Sequence, residues 1–169
     1  MSRGLLDEYE VMLNTGLGAE TLYAYTAAFN KVRERQEDAV TLWHLATVLP
    51  LVFHEVSRRA ITKRRPSSGL RAILARNPEH NIAQNEAVFN LNRRVRAMFP
   101  RTIRSLNCAI AWGLLRVEDG ALLPCSSRPS SSLAGEVREI VKAAEKLGMW
   151  SAQVTAFEYF TVLGVEFHE

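Results

Sequence analysis

Between Val56 and Arg65 the chain reads VSRRAITKRR, with Arg58, Arg59, Lys63, Arg64 and Arg65 and no acid among them. Cations at that density are suited to one kind of chemistry, the binding of phosphates or carboxylates through charge-assisted hydrogen bonds. A second pair, Arg101 and Arg104, follows Pro100 in FPRTIRSL. If that proline opens a helix, both cations face the positive end of its macrodipole, at a cost of roughly 0.3–1 kcal/mol each when exposed. A phosphate at the same terminus would reverse the sign, since backbone N–H groups and both guanidinium groups would face it. Pairing with Glu79, Glu86 or a flanking acid is the alternative. Arg58 and Arg59 are expected at the end of a helix, where cations suit the dipole. Lys63-Arg64-Arg65 is expected in the following loop, where it gains nothing from its own helix. The triplet is the stronger candidate for DNA or an acidic partner surface.

Charge is polarised along the whole chain. From Val56 to Val117 there are thirteen Lys/Arg and two acids, a net +11, while the flanks hold eight basic residues and sixteen acids, a net −8. The middle should attract polyanions and the ends should not. A basic face that merely balances acidic neighbours within the fold would give the same count.

Catalytic patterns are scarce. His54-Glu55 lacks the second histidine that a zinc-protease helix requires four residues on. His44, His54, His80 and His168 show no metal-ligand spacing with cysteine or carboxylate. His44 and His54 lie in an apolar helical stretch, as core or interface histidines do. The serines near Ser67 and Ser130 lie in linkers, without a strand-turn-helix elbow. Gly16 and Gly18 are not followed by the Lys-Ser/Thr pair of a phosphate loop. Cys108 and Cys125 suggest neither a metal site nor a disulfide framework. No enzyme, metal or cofactor is expected.

The 169 residues, 47% hydrophobic and 23% charged, are those of one ordinary globular domain. No apolar run approaches the ~18 residues of a membrane span. The opening MSRGLLDEYEVML carries acids where a signal peptide would be apolar. The expected setting is the reducing cytoplasm, with no membrane.

Leu22, Tyr25 and Phe29 predict a helix over about 19–33. A second begins at Asp38 or Thr41 and runs through Ile61, kinked or split at Pro50. Ser67 or Ser68 caps a short helix carrying Leu70, Ile73 and Leu74, ended by Asn77-Pro78. Val88, Leu91, Val95 and Met98 form a stripe that Pro100 closes. The next helix should bury Ile103, Leu106 and Ile110 and stop at Gly113. Asp119-Gly120, between Leu114–Val117 and Ala121–Leu123, predicts a type I′ hairpin. Helices followed by a tight hairpin are the order of a winged helix-turn-helix, the hairpin being the wing. After the linker CSSRPSSS, a stripe from Leu133 through Val137, Ile140, Val141, Ala144 and Leu147 ends at Gly148. The tail's aromatics, Trp150, Phe157, Tyr159 and Phe160, must pack on this domain or on a partner. The expected fold is therefore mainly α: an N-terminal helical segment (1–37), a winged-helix-like core with a β-hairpin wing (38–125) and C-terminal packing helices (133–169), together one domain.

The ordered series VLPLVFHEVSRRAI, LRAILARNPE, VRAMFPRTIRSLNCAIAWGLLRVEDGALLP, EVREIVKAAEKLGMWSAQ and TVLGVEF resembles the middle component of bacterial ABC-three-component defence systems, of which Lamassu-type systems are the best known. The resemblance covers about 14–167. Its most specific marks are Leu49 to His54, Asn77-Pro78 and the turn from Leu147-Gly148 to Trp150. The polar NIAQNEAVFN and the arginine-rich TKRRPSSG depart from the pattern. The resemblance implies a non-catalytic subunit linking a dimeric SMC-like ABC ATPase, which senses foreign DNA, to an effector subunit, commonly a nuclease. Double-stranded DNA would be met through the complex. A free-standing winged-helix transcriptional regulator, dimeric and reading a palindrome, fits the fold order and the charge as well.

Overall fold

The structure, a computed structural model, describes residues 14–35, 38–73, 90–125, 133 and 135–167. Leu74, Val88, Asn77-Pro78, Glu79, Glu86, His80, His168 and most of the CSSRPSSS linker lie outside the described residues. The fold is mainly helical, with one two-stranded antiparallel hairpin.

Helix α1, Thr15–Val32, is the centre of the molecule. Asn14 caps it, its side-chain oxygen accepting from the Leu17 N–H at 3.0 Å. Its residues from Leu17 to Phe29 are buried on nearly every side, because the helices Leu42–Val52, Leu91–Ala111 and Gly135–Ser151 and the hairpin all pack on it. A helix apolar all round belongs inside a bundle.

Helix α2, Leu42–Val52, starts where Thr41 and His44 form a capping box. Here the structure corrects the expected break. Pro50 lies inside the helix, and the chain turns three residues later, at Phe53 and His54. His54 takes extended dihedrals and caps α3, Glu55–Lys63. Burial of Leu45 through Val52 holds α2 together across the proline. A lost backbone bond, about 3 kcal/mol in an isolated helix, is outweighed by that core.

After α3 come two 3-10 turns, Pro66–Ser68 and Leu70–Ile73. Helix α4, Leu91–Ala111, then runs unbroken through Pro100, contrary to the two helices expected. Pro100 and Arg96 are both on the solvent side. The Arg96 carbonyl that loses its helical donor can therefore meet water. The buried face also differs from expectation: Thr102, Ser105, Leu106 and Ala109 are inside, Ile103 is half-buried and Ile110 is exposed. Small residues face inward because α1 comes close, Gly18 lying directly over Ser105.

Helix α4 stops as expected, with Gly113 at φ 67° just past its C-cap. Strands β1, Leu115–Glu118, and β2, Ala121–Pro124, pair in the register Glu118 to Ala121 and Leu115 to Pro124. Asp119 at φ 51° and Gly120 at φ 79° make the expected turn, which needs positive φ at both positions. The Leu122 N–H donates to the Val40 carbonyl at 2.8 Å, tying the hairpin to the start of α2.

Helix α5, Gly135–Ser151, makes the most extensive interhelical contact, with α1. Gly148 does not end it. A Cβ there would run into the Tyr25 carbonyl oxygen and sit 3.2 Å from the Phe29 nitrogen, so the glycine permits a backbone-to-backbone crossing. Helix α6, Ala156–Leu163, closes the fold and ends at Gly164, φ 61°.

Candidate functional site

The polycation of the sequence separates into three groups. Arg58 and Arg59 sit in the second turn of α3 rather than at its end. The dipole therefore does not account for them; local partners do. Arg58 is buried, donates to the Val52 carbonyl at 3.1 Å and pairs with Glu136 of α5 at 2.7 Å. It satisfies a free carbonyl at the end of α2 while tying α3 to α5. Arg59 pairs with Glu55 one turn back. Arg71 is likewise joined to Glu158 at 2.8 Å. All three have acidic partners within the chain.

Lys63, Arg64 and Arg65 form the second group. Lys63 closes the last turn of α3, where a cation does suit the dipole, correcting its expected place in the loop. The segment is stapled to α5. Lys146 Nζ donates to the Thr62 and Arg64 carbonyls at 3.0 and 2.6 Å, and the Trp150 indole donates to the Pro66 carbonyl at 2.6 Å. Burial lowers the Lys146 pKa. Lys63 and Arg65 are exposed on this stapled segment, with no ion pair to another described residue.

The third group is α4, which carries Arg93, Arg94, Arg96, Arg101 and Arg104 and no acid. Arg101 and Arg104 are in the middle of this helix, not at an N-terminus, so the expected phosphate site on helix-end N–H groups does not exist there. Arg93, Arg96 and Arg104 instead lie along the exposed face with Ala97, Pro100 and Asn107. From Arg93 to Arg104 that face extends about 16 Å. Arg93 and Arg96 were not singled out in the sequence; three-residue spacing with Arg104 eight further on was the available signal.

The inner side of α4 meets the elbow between α2 and α3. Arg94 Nη2 reaches the Ser57 hydroxyl at 3.4 Å, and His54 Nδ1 lies 2.9 Å from the same hydroxyl. Burial first, then Arg94 and Arg58, pushes the His54 imidazole from 6.5 down to about 4, with Glu55 opposing. His54 is a neutral cap in a positive surrounding. The Arg101 guanidinium lies over the Phe53 ring at 5.8 Å. Burial, and next the charge of Arg104, lowers its pKa. The groups at the far end of α3 and those on α4 are separate sites, since the nine residues of α3 span about 13 Å.

Of the expected partner-packing aromatics, Trp150 and Tyr159 are fully buried within the chain. Tyr159 shares a hydrogen bond of 2.7 Å with Thr47. Phe160 is half-buried among His44, Tyr159 and Phe167. Phe157 alone is open, at 82% exposure. The other large apolar side chains exposed among the described residues are Trp43, Val56, Trp112, Val117 and Ile110, the last of which was expected inside.

Among the described residues no group of three His, Cys, Asp or Glu is placed to hold a metal, and no helix is long and apolar enough to cross a membrane. Fold and site thus define a class: a mainly helical domain with a β-hairpin, presenting one helix face of a single sign. The family model described as ABC-three component (ABC-3C) system Middle Component 3 matches residues 2–167, and the chain belongs to that family. It is an accessory component of a multi-component system and works with the other ABC-3C subunits. No curated protein and no solved structure matches the chain.

Proposed function

We propose that this chain is the non-catalytic bridging subunit of a cytoplasmic, Lamassu-type defence complex, joining a dimeric SMC-like ABC ATPase to a nuclease effector, and that its basic surface meets double-stranded DNA held by the complex. One observation carries the DNA contact: the exposed face of α4 holds Arg93, Arg96 and Arg104 with no acid anywhere on the helix. Like charges one turn apart destabilise a helix by a few tenths of a kcal/mol per pair, a cost that a polyanion converts into a gain. Lys63 and Arg65 form a second, smaller contact at the far end of α3. The hairpin following α4 supports a winged-helix arrangement in which α4 and the wing lie on the same duplex. Exposed Phe157 at the start of α6 is the remaining candidate among the tail aromatics for a protein partner.

The test uses the chain co-purified with the other components of its system. Arg93→Gln, Arg96→Gln and Arg104→Gln together should leave the complex assembled and reduce the salt slope of duplex binding by about one for each arginine replaced. An unchanged affinity and slope would remove the DNA role of α4. A chain that purifies as a free dimer and selects a palindrome would favour the transcriptional regulator instead.

A further inference from the structure

The two sides of α4 do different work, and the inner one contains an incomplete interaction. Arg101 Nε and Nη2 are both shielded from solvent and have no hydrogen-bond partner among the described residues. These two nitrogens form one edge of the guanidinium, the edge whose parallel N–H bonds match both oxygens of a carboxylate or phosphate. The Phe53 ring supplies a cation–π contact at 5.8 Å, which steadies the charge without satisfying those donors. Glu55, next to the elbow in sequence, is paired with Arg59, and Glu136, which the fold brings to α3, is paired with Arg58.

We propose that the Nε–Nη2 edge of Arg101, beneath the α2–α3 elbow at Phe53, is the receptor for one carboxylate side chain of a protein partner in the assembled complex. The inference rests on the reading of this chain as an assembly subunit and names the chemistry of one of its contacts. Buried donors without acceptors are costly in the free chain, so a partner that supplies an acceptor gains two charge-assisted bonds. The guanidinium has already lost its water at that edge, so much of the usual desolvation cost falls outside the binding step. Recess also selects the ligand. Duplex phosphates project from a stiff backbone and suit exposed cations such as Arg93, Arg96 and Arg104. A carboxylate on the short flexible stem of an aspartate or glutamate can meet the edge once the guanidinium turns outward from Phe53, a rotation about side-chain bonds alone.

The test measures binding of the chain to the remaining components of its system, purified together, and duplex binding by the reassembled complex. Arg101→Gln should weaken assembly at least about thirtyfold, as truncating one member of a desolvated charge pair does. Arg101→Lys keeps the charge and loses the two-pronged edge, and should weaken it about tenfold. Lys142→Gln, the same charge change on the exposed side of α5, should leave assembly within twofold. The salt slope of duplex binding should be the same for Arg101→Lys and the unaltered chain. Assembly unchanged in Arg101→Lys and Arg101→Gln overturns the proposal. Assembly unchanged with a duplex salt slope lowered by about one overturns it too, because the anion is then a phosphate. If Arg101→Gln proves less stable to heat, Arg101→Lys decides alone. An unaltered chain that fails to bind the other components overturns the bridging function and this contact together, whereas a bound chain indifferent to Arg101 overturns this contact only.

Discussion

Replacing Gly148 with alanine tests the tightest crossing in the fold. Alanine is the better helix former by about 1 kcal/mol, so local propensity alone favours the change. The added methyl would overlap the Tyr25 carbonyl oxygen and lie 3.1 Å from the Tyr25 carbonyl carbon and 3.2 Å from the Phe29 nitrogen. These are backbone atoms of α1 and cannot rotate away. Relief requires α1 and α5 to part by about 1 Å, and a gap of that size forfeits a quarter to a half of each dispersion contact across it. Leu147, Trp150, Ser151 and Ala144 all flank that crossing and are buried. Overpacking costs typically 1–3 kcal/mol, and a wall of backbone atoms puts this case at the upper end, about 3 kcal/mol. With the propensity gain subtracted, the expected net loss is about 2 kcal/mol. At about 2–4 °C per kcal/mol for a chain of this size, the midpoint should fall by about 4–8 °C in calorimetry. The urea midpoint should fall with an unchanged slope. Gly16→Ala is the control, because the atom nearest its new methyl, at 3.0 Å, is the outer end of the exposed Trp112 ring. It should be no less stable than the parent, and more stable by up to about 1 kcal/mol. A Gly148→Ala chain as stable as the parent would refute the reasoning.

Three further outcomes are expected. Burial lowers the His44 imidazole from 6.5 to about 4, so the folded chain resists a proton that the unfolded chain accepts. The stability it contributes is complete above pH 6.5 and is lost as pH falls toward 4, by roughly 3 kcal/mol. His44→Gln, which keeps a capping-box acceptor, should flatten that part of the urea-stability profile; an identical profile would show that His44 does not set it. Arg58→Met removes the Val52 carbonyl's donor and the bond to Glu136 together, and should cost about 2 kcal/mol in urea unfolding. A loss below about 0.5 kcal/mol would mean that Arg58 is not the tie between α3 and α5. Trp150→Phe leaves the Pro66 carbonyl without its indole donor; a loss of about 1 kcal/mol and faster amide exchange at Ser68 and Ala72 are expected, and unchanged exchange would show the 3-10 segment is held by other contacts.

The sequence by itself determined the features that depend on neighbouring residues. Asp119-Gly120 specified its turn because only residues tolerant of positive φ fit both positions, and Gly113 stopped α4 for the same reason. The stripe through Ile140, Val141, Ala144 and Leu147 placed α5 and its buried face. The net +11 of the middle segment marked the stretch that supplies the arginines of α4. Tertiary structure decided wherever a local cost is outweighed by remote contacts. Pro50 and Pro100 should each interrupt a helix, but both sit within one because core packing spans them. Gly148 reads as a C-cap and is a crossing, since its function depends on Tyr25 and Phe29, more than a hundred residues earlier. The division of the cations followed the same logic. Arg58 is neutralised by Glu136, 78 positions away, and Arg101 is shielded by Phe53, while Arg93 and Arg104 remain in water. A one-dimensional pattern records which residues carry charge; only the folded chain determines which charges have partners, because an ion pair depends on a few ångströms in space and not on distance along the chain.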